Sequence, residues 1–291
     1  MSDAGPVTPT GSIHGPVDDG GDPILPEDHY LLVMAIELGL DGGNSLATVT
    51  VRPELFAPGT DHIRTGLLCS MVDLVAGHMA IGPVGPTIDL RMQLFSRPPT
   101  EGRIHIYSRP LRIGSRLIVS ETELRGDPDT EPFARCMTTF MNNIVGGGFP
   151  KGPRVAPVMA EPSFDAFLGH QIRDENSFEL HPVERLTNGM KATVQGGAQS
   201  LLAELTAEHV LGGGRRLAAT DLDIRFLNPM RVGPVVATVE PIDNTIDHTA
   251  EHSARDRPSD RGRARCRVRL TDGGYHDRIL GFVAMTLEPI V

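Results

Sequence analysis

The stretch Thr65-Gly66-Leu67-Leu68-Cys69-Ser70-Met71-Val72-Asp73 decides the fold, because the chain holds it twice in altered form. Counting 131 positions on from Gly66 and Asp73 gives Gly197 and Glu204, inside Gln195-Gly196-Gly197-Ala198-Gln199-Ser200-Leu201-Leu202-Ala203-Glu204. Each copy reads as a helix opened by glycine with one carboxylate inside it. The same offset connects Phe95-Ser96-Arg97-Pro98 with Phe226-Leu227-Asn228-Pro229, and Gly102 with Gly233. Thr87-Ile88-Asp89-Leu90 is set against Asp221-Leu222-Asp223-Ile224. Landmarks at a shared spacing mean an internal duplication of a domain-sized unit. Two copies are expected to close on each other as a pseudo-dimer rather than to extend as a solenoid.

Outward from these helices the chain reads as an α+β protein. The helix expected over 65–81 carries Leu67, Leu68, Met71, Val72, Val75 and Met79 as a broad apolar face for burial on a sheet. Before it, Tyr30 to Leu38 and Ser45 to Val51 read as two strands around Gly42-Gly43. After it, 87–97, 103–110, 116–123 and 133–142 supply four more. The second unit repeats the plan: a strand at Ser177 to Leu180, a helix over 195–211, and strands near 217–227, 234–241, 264–271 and 279–288. Residues 1–28, rich in Gly, Pro and Asp, read as a disordered leader. The units are thus 29–143 and 173–291, with 144–172 as a linker that holds a short helix at Phe164 to Leu168. Residues 243–262 form a polar insertion without a counterpart in the first unit.

Composition narrows the function. At 291 residues with 40% apolar content, two cores form without disulfides or metal. The three cysteines, Cys69, Cys136 and Cys266, are odd in number and far apart, which points to a reducing compartment. No basic leader with an apolar run and no membrane span is present, so a soluble cytoplasmic protein is expected. A formal charge of −10 argues against nucleic acid as the main partner. Small anionic ligands remain open, since they need only a few arginines. His248 and His252, four apart in a charged stretch, lack further ligands for a metal.

The helix spacing suggests a chemistry. A carboxylate seven residues after the opening glycine lies about 10 Å along the axis, on the face where the helix starts. It is too far from its own helix N-terminus to act on the same carbonyl. Two such helices packed antiparallel would set the acid of one opposite the free N–H groups of the other. A nucleophile or base would then face a ready oxyanion site, as acyl transfer requires. The structural alternatives are a carboxylate paired with a nearby donor, glycines that permit close packing, and Thr65 as an N-cap.

These residues resemble the hotdog-fold acyl-CoA thioesterases, in the branch of the phenylacetyl-CoA and 4-hydroxybenzoyl-CoA enzymes, over about 30–143 and 175–291. The pattern is an Asn, then His-Gly-Gly opening the central helix, an acid seven residues after the second Gly, and a later Ser or Thr. The resemblance implies two tandem hotdog units in one chain, with no metal or redox cofactor and coenzyme A as part of the substrate. It implies Asp73 and Glu204 as catalytic carboxylates, Thr87 as the hydroxyl group with Asp221 opposite it, and Gly196 and Thr65 at the carbonyl-polarising N–H position. Gly66, Gly197 and Gln195 complete the helix starts, and Asn188 stands near the place of the family Asn, one residue further from the glycines than usual. Among the strand arginines, Arg97 and Arg116 are the expected contacts to CoA phosphates.

The departures set the two sites apart. The first copy has Arg64-Thr65-Gly66 for His-Gly-Gly and Pro58-Gly59 where the Asn is expected, while the second has Gln195 for His. Asp73 and Thr87 facing Asn188, Gln195 and Gly196 make a nearly complete set, so this is expected to be the working site and Glu204 the weaker one. The rival functions are a non-catalytic acyl-CoA-binding pseudo-enzyme and a hydratase or dehydratase on the same fold. Further pairing into a homodimer of pseudo-dimers is also open.

Overall fold

The computed structural model describes residues 25–79, 82–83, 85–142, 158–188, 191–243 and 262–290. Residues 1–24 of the expected leader, the glycines 146–148 of the expected linker, and His248 with His252 therefore lie outside the described residues, as does nearly all of the 243–262 insertion. In the first half, α1 (Tyr30–Val33), β1 (Glu37–Asp41) and β2 (Asn44–Thr50) lead to α2 (Thr65–Gly77). Then come β3 (His78–Met79), β4 (Gly82–Pro83), β5 (Thr87–Leu94), β6 (Arg103–Ile113), β7 (Leu117–Arg125) and β8 (Ala134–Met141). The second half has α3 (Phe164–Leu168), β9 (Gln171–Asp174), β10 (Ser177–Leu180), β11 (Thr187–Asn188), β12 (Lys191–Val194) and α4 (Gly196–Gly212). It ends with β13 (Leu217–Phe226), β14 (Val235–Asp243), β15 (Ala264–Asp272) and β16 (Arg278–Pro289).

Twelve strands make one antiparallel sheet in the order β1-β2-β6-β7-β8-β5-β13-β16-β15-β14-β10-β9. The order is a palindrome about the β5–β13 seam, so each half contributes the same six strands in the same sequence. At the seam Arg91 pairs with Asp223, flanked by Leu90 with Ile224 and Met92 with Leu222. A pseudo-two-fold axis passes through the Arg91–Asp223 pair, which equates residues of β5 and β13 at an offset of 132 rather than 131. The bulges agree: Ile88 falls out of register against β8, and Thr220 does so against β16.

Both long helices are buried on one face of this sheet. Leu67, Leu68, Met71, Val72 and Val75 of α2 are inaccessible or nearly so, as are Ala198, Leu201, Leu202 and Ala203 of α4. Each large side chain contributes about 1.5–3 kcal/mol on burial. The helices also touch each other with almost no side chain between. A Cβ on Gly66 would fall 2.7 Å from Leu201 Cα, and one on Gly197 would fall 2.4 Å from Ser70 Oγ. These are one contact seen twice, since residue 66 stands to 201 as 197 stands to 70. Glycine is required at both places by steric exclusion.

Two expectations need correction, and the expected linker gains a strand. Tyr30 to Leu38 is not a strand throughout. His29 accepts a hydrogen bond from Leu31 N–H and starts the short helix α1, and β1 follows at Glu37. The reason is tertiary: Tyr30 is wholly buried, its hydroxyl bonds Ser70 at 2.8 Å, and its ring packs on Phe164 and Phe167. The helix at 65 ends at Gly77 rather than near 81, because His78–Met79 turns back to pair with Gly82–Pro83. Within the expected linker, α3 forms where anticipated, capped by the Ser163 hydroxyl, and β9 extends the sheet from Gln171.

Candidate active site

The antiparallel helices place two carboxylates at pseudo-equivalent positions, and their surroundings differ. Glu204 is completely buried on α4. Its Oε2 accepts the Gly66 N–H at 2.6 Å and its Oε1 the Ala219 N–H at 3.0 Å. Arg64, the residue before α2, offers no side-chain cap to that helix. Glu204 caps it instead, from the other half of the chain, where the positive end of the helix favours an anion. Thr65 Oγ1 donates to Ala219 O at 2.5 Å and closes the ring of contacts. Burial pushes the Glu204 carboxyl above its usual range, opposed by the Arg64 charge and the two N–H donors.

Beside this knot lies a buried ion cluster. The Arg64 side chain is 2% exposed and holds Asp165 of α3 with Nε at 2.9 Å and Nη2 at 2.8 Å. It also holds Glu208 of α4 with Nη2 at 2.7 Å. Burial works against the guanidinium charge, yet Asp165, with Glu204 and Glu208, holds its pKa above the ordinary value. His62, next to the cluster, is kept neutral: burial and then the charges of Arg64 and Arg97 push it down to about 4. The same coupling puts Arg97 on the Glu204 side of the molecule, exposed at the surface.

Asp73 is arranged otherwise. It is half-buried on α2, and Thr87 at the start of β5 donates its hydroxyl to Oδ1 at 2.5 Å. No second hydrogen bond reaches Asp73 among the described residues. Burial lifts its carboxyl to about 6, although the Thr87 hydrogen bond acts to lower it. Opposite stands the N-terminus of α4. Gln195, its N-cap, makes no side-chain cap bond, and Gly196 is partly open to solvent with the Phe226 ring against it. Asp73 is one methylene shorter than Glu204, so it does not close on the Gly197 N–H as Glu204 closes on Gly66. Among the described residues the N–H groups of the first α4 turn have no side-chain cap, and Asp73, pseudo-equivalent to Glu204, has one oxygen without a hydrogen bond.

Asn188 lies in β11, which pairs with β12 and leads directly into Gln195 and α4. Its side chain lies outside the described residues. β11 is tethered to the first half by His29 Nε2, 2.9 Å from Thr187 O. Arg116, exposed on the β6–β7 turn, is at the Asp73 end of the sheet, since β7 starts opposite Met141 and β8 ends beside Thr87. The pairing of Asp221 with Thr87 is overturned. Through the seam and the bulges, Thr87 corresponds to Ala219 and Asp221 to Asp89. Asp221 accepts a hydrogen bond from Gln93 at 3.1 Å on the strand face that Leu222 and Ile224 turn away from. The second copy thus has no hydroxyl where Thr87 stands.

Two features escaped the sequence. The Arg64–Asp165–Glu208 cluster joins residues 101 apart and more, with no local pattern to announce it. Phe226 against Gly196 had a signal, because Phe226 was already one of the repeat's landmarks. Among the described residues no helix is long and apolar enough to cross a membrane.

No family model matches the sequence, and no curated protein does. Solved structures do. A conserved protein from Alicyclobacillus acidocaldarius with the hot dog fold superposes at TM-score 0.55, 10% identical, over 90% of this chain and 98% of its own. The fold is the hotdog fold. A tesB protein from Mycobacterium avium subsp. paratuberculosis matches this hotdog protein at TM-score 0.59 with 13% identity, covering 90% of this chain and 98% of that one. The acyl-CoA thioesterase II TesB2 from Mycobacterium marinum gives 0.52 and 12%, over 89% and 97%.

Proposed function

We propose that the chain is a thioester hydrolase of the acyl-CoA thioesterase type, working at the Asp73 end. The observation that carries the reading is the contrast at pseudo-equivalent positions. Asp73 has one oxygen held by Thr87 and the other free, facing an uncapped helix start, whereas Glu204 has both oxygens engaged. The thioesterase names among the similar structures support the reaction class.

The thioester carbonyl oxygen takes the N–H of Gly196 and the positive end of α4, which stabilise the tetrahedral oxyanion. Asp73 removes a proton from water as the water oxygen attacks the carbonyl carbon. Thr87 fixes the carboxylate so that its free oxygen points to the water, and Asn188 and Gln195 hold the water or the thioester. Collapse of the oxyanion breaks the C–S bond, and the thiolate takes up a proton as the free acid leaves. The variant in which Asp73 attacks the carbonyl directly uses the same geometry through an anhydride that water then opens. The narrower reading, the branch of phenylacetyl-CoA and 4-hydroxybenzoyl-CoA enzymes with one site retained, rests on the resemblance of the helix starts.

The test is thiol release from short, long and aromatic acyl-CoAs. Wild type should release thiol, and Asp73→Asn should lower kcat at least a hundredfold, the usual scale for loss of a general base. Acyl-CoA binding without turnover by wild type would replace this reading with that of a binding protein.

A further inference from the structure

The β6–β7 hairpin ends in a surface of which the hydrolase reading uses only Arg116, as an expected phosphate contact. Its tip runs Arg109-Pro110-Leu111-Arg112-Ile113-Gly114-Ser115-Arg116-Leu117. Leu111 is 48% exposed, Ile113 52%, Leu117 44%, and Met141 on neighbouring β8 37%. Single exposed aliphatics are ordinary, but four gathered at one hairpin tip and the strand beside it are not. Leu117 pairs with Met141, Ile113 pairs with Ile118, and Leu111 sits in the bulge between Pro110 and Arg112.

The apolar side chains lie on both faces of the hairpin. Ile118 is fully buried toward the helices, so its partner Ile113 shares that side, and Leu117 and Met141 point to the opposite one. The tip therefore overhangs the helix layer with aliphatic carbon above and below. Its charge is also one-sided. From Gly102 to Ser120 the sequence holds four arginines and no carboxylate, in a chain of net charge −10. Arg103 is paired with Glu37 and Arg109 with Glu121. Arg112 and Arg116 make no ion pair among the described residues. The nearest turn with an acid, Asp41 between β1 and β2, lies two strands away from β6.

We infer that this hairpin tip docks the protein on an anionic lipid surface, with Leu111, Ile113, Leu117 and Met141 entering the acyl boundary and Arg112 and Arg116 on the headgroup phosphates. A folded protein partner covers one face of a hairpin, whereas a bilayer interface encloses both, and aliphatic residues flanked by arginine are the pattern that such an interface selects. The expectation of no membrane rested on the lack of a spanning segment, which does not bear on surface docking. The tip adjoins the Asp73 end, because Gly85 N–H donates to Met141 O just before Thr87. The surface stands whether or not the chain hydrolyses thioesters.

The experiment is co-sedimentation of the full chain with phosphatidylcholine vesicles, with and without phosphatidylserine, at low and high salt. Wild type should pellet with the anionic vesicles, less so at high salt. Ile113→Asp combined with Leu117→Asp should abolish pelleting. Arg112→Ala and Arg116→Ala should each weaken it about fivefold, the effect of one cation near an anionic membrane. All four positions are exposed, so the melting temperature should hold and show that the variants are folded. No pelleting of wild type, or equal pelleting of the Ile113→Asp/Leu117→Asp variant, overturns the proposal. Light scattering that shows a dimer broken by the same pair of changes also overturns it and assigns the tip to a second copy of the chain.

Discussion

The Asp73 and Glu204 ends are copies of one design with different surroundings. Both set a carboxylate seven residues into a helix against the start of the opposite helix. At one end the acid is shorter, the facing helix start is uncapped, and a hydroxyl orients the carboxylate. At the other the acid is longer by a methylene, reaches the facing N–H, and is hemmed in by Arg64, Asp165 and Glu208. A single CH2, with a Thr at 87 and an Ala at 219, separates a carboxylate with one oxygen engaged from one with both engaged, and on that difference the proposed division of roles rests.

Arg64→Ala tests the structural end hardest. It takes the cation from Asp165 and leaves Glu208 only the half-exposed Arg216 at 3.6 Å, and loss of one partner from a buried ion cluster costs about 3–5 kcal/mol. A large fall in urea midpoint is expected, and an unchanged midpoint would show that the cluster is not structural. Glu204→Gln should come next, with a loss of about 2 kcal/mol, because the amide accepts one of the two backbone donors and turns its own NH2 on the other. In the same variant, kcat per folded molecule should stay within about twofold, against the hundredfold expected of a general base. A collapse of kcat in folded Glu204→Gln would erase the division between the ends.

Asp73→Asn sharpens the comparison from the other side. Its carboxyl is raised to about 6 in the folded protein by burial, above its unfolded value. The native state therefore binds the proton more tightly, and stability falls as pH rises from about 4 through about 6. Asn has no such penalty, so the variant should gain on the order of 2 kcal/mol over wild type at pH 7–8 and lose that advantage near pH 4. Wild-type kcat should rise through pH of about 6 as the base ionises. Thr87→Val is the smallest of these changes: about tenfold in kcat, with the acidic limb moved to higher pH because the hydrogen bond that lowers the Asp73 pKa is gone.

Much of this arrangement was legible in the chain. The repeated glycine-to-acid spacing implied two helices that pack antiparallel, since no other packing sets both acids against helix starts. Gly213 and Gly214, a helix-stop signal in the sequence, end α4 in the left-handed region. What escaped is equally physical. The offset of 131 that relates the helices becomes 132 in the seam strands, whereas the likeness of Thr87-Ile88-Asp89-Leu90 to Asp221-Leu222-Asp223-Ile224 sets them 134 apart. A two-residue slip leaves the strand alternation unchanged, so the pattern itself gives no sign that Ala219 is the counterpart of Thr87. Tyr30 to Val33 has the composition of a strand and becomes a helix, because Ser70, Phe164 and Phe167 meet its side chains. Contacts at that separation leave no trace in a local pattern.

The Gly66–Glu204 hydrogen bond gives the quieter end a further task. It fixes where α2 begins, and a helix advances about 1.5 Å per residue as a stiff rod. Asp73, seven residues on, is therefore located by a bond made at the far end of its own helix, with Gly66 against Leu201 and Gly197 against Ser70 holding the two rods at one separation. Glu204 acts as a surveyor's benchmark. Asp73 is measured off from it, so under the proposed division the structural end sets the tolerance of the end assigned to chemistry.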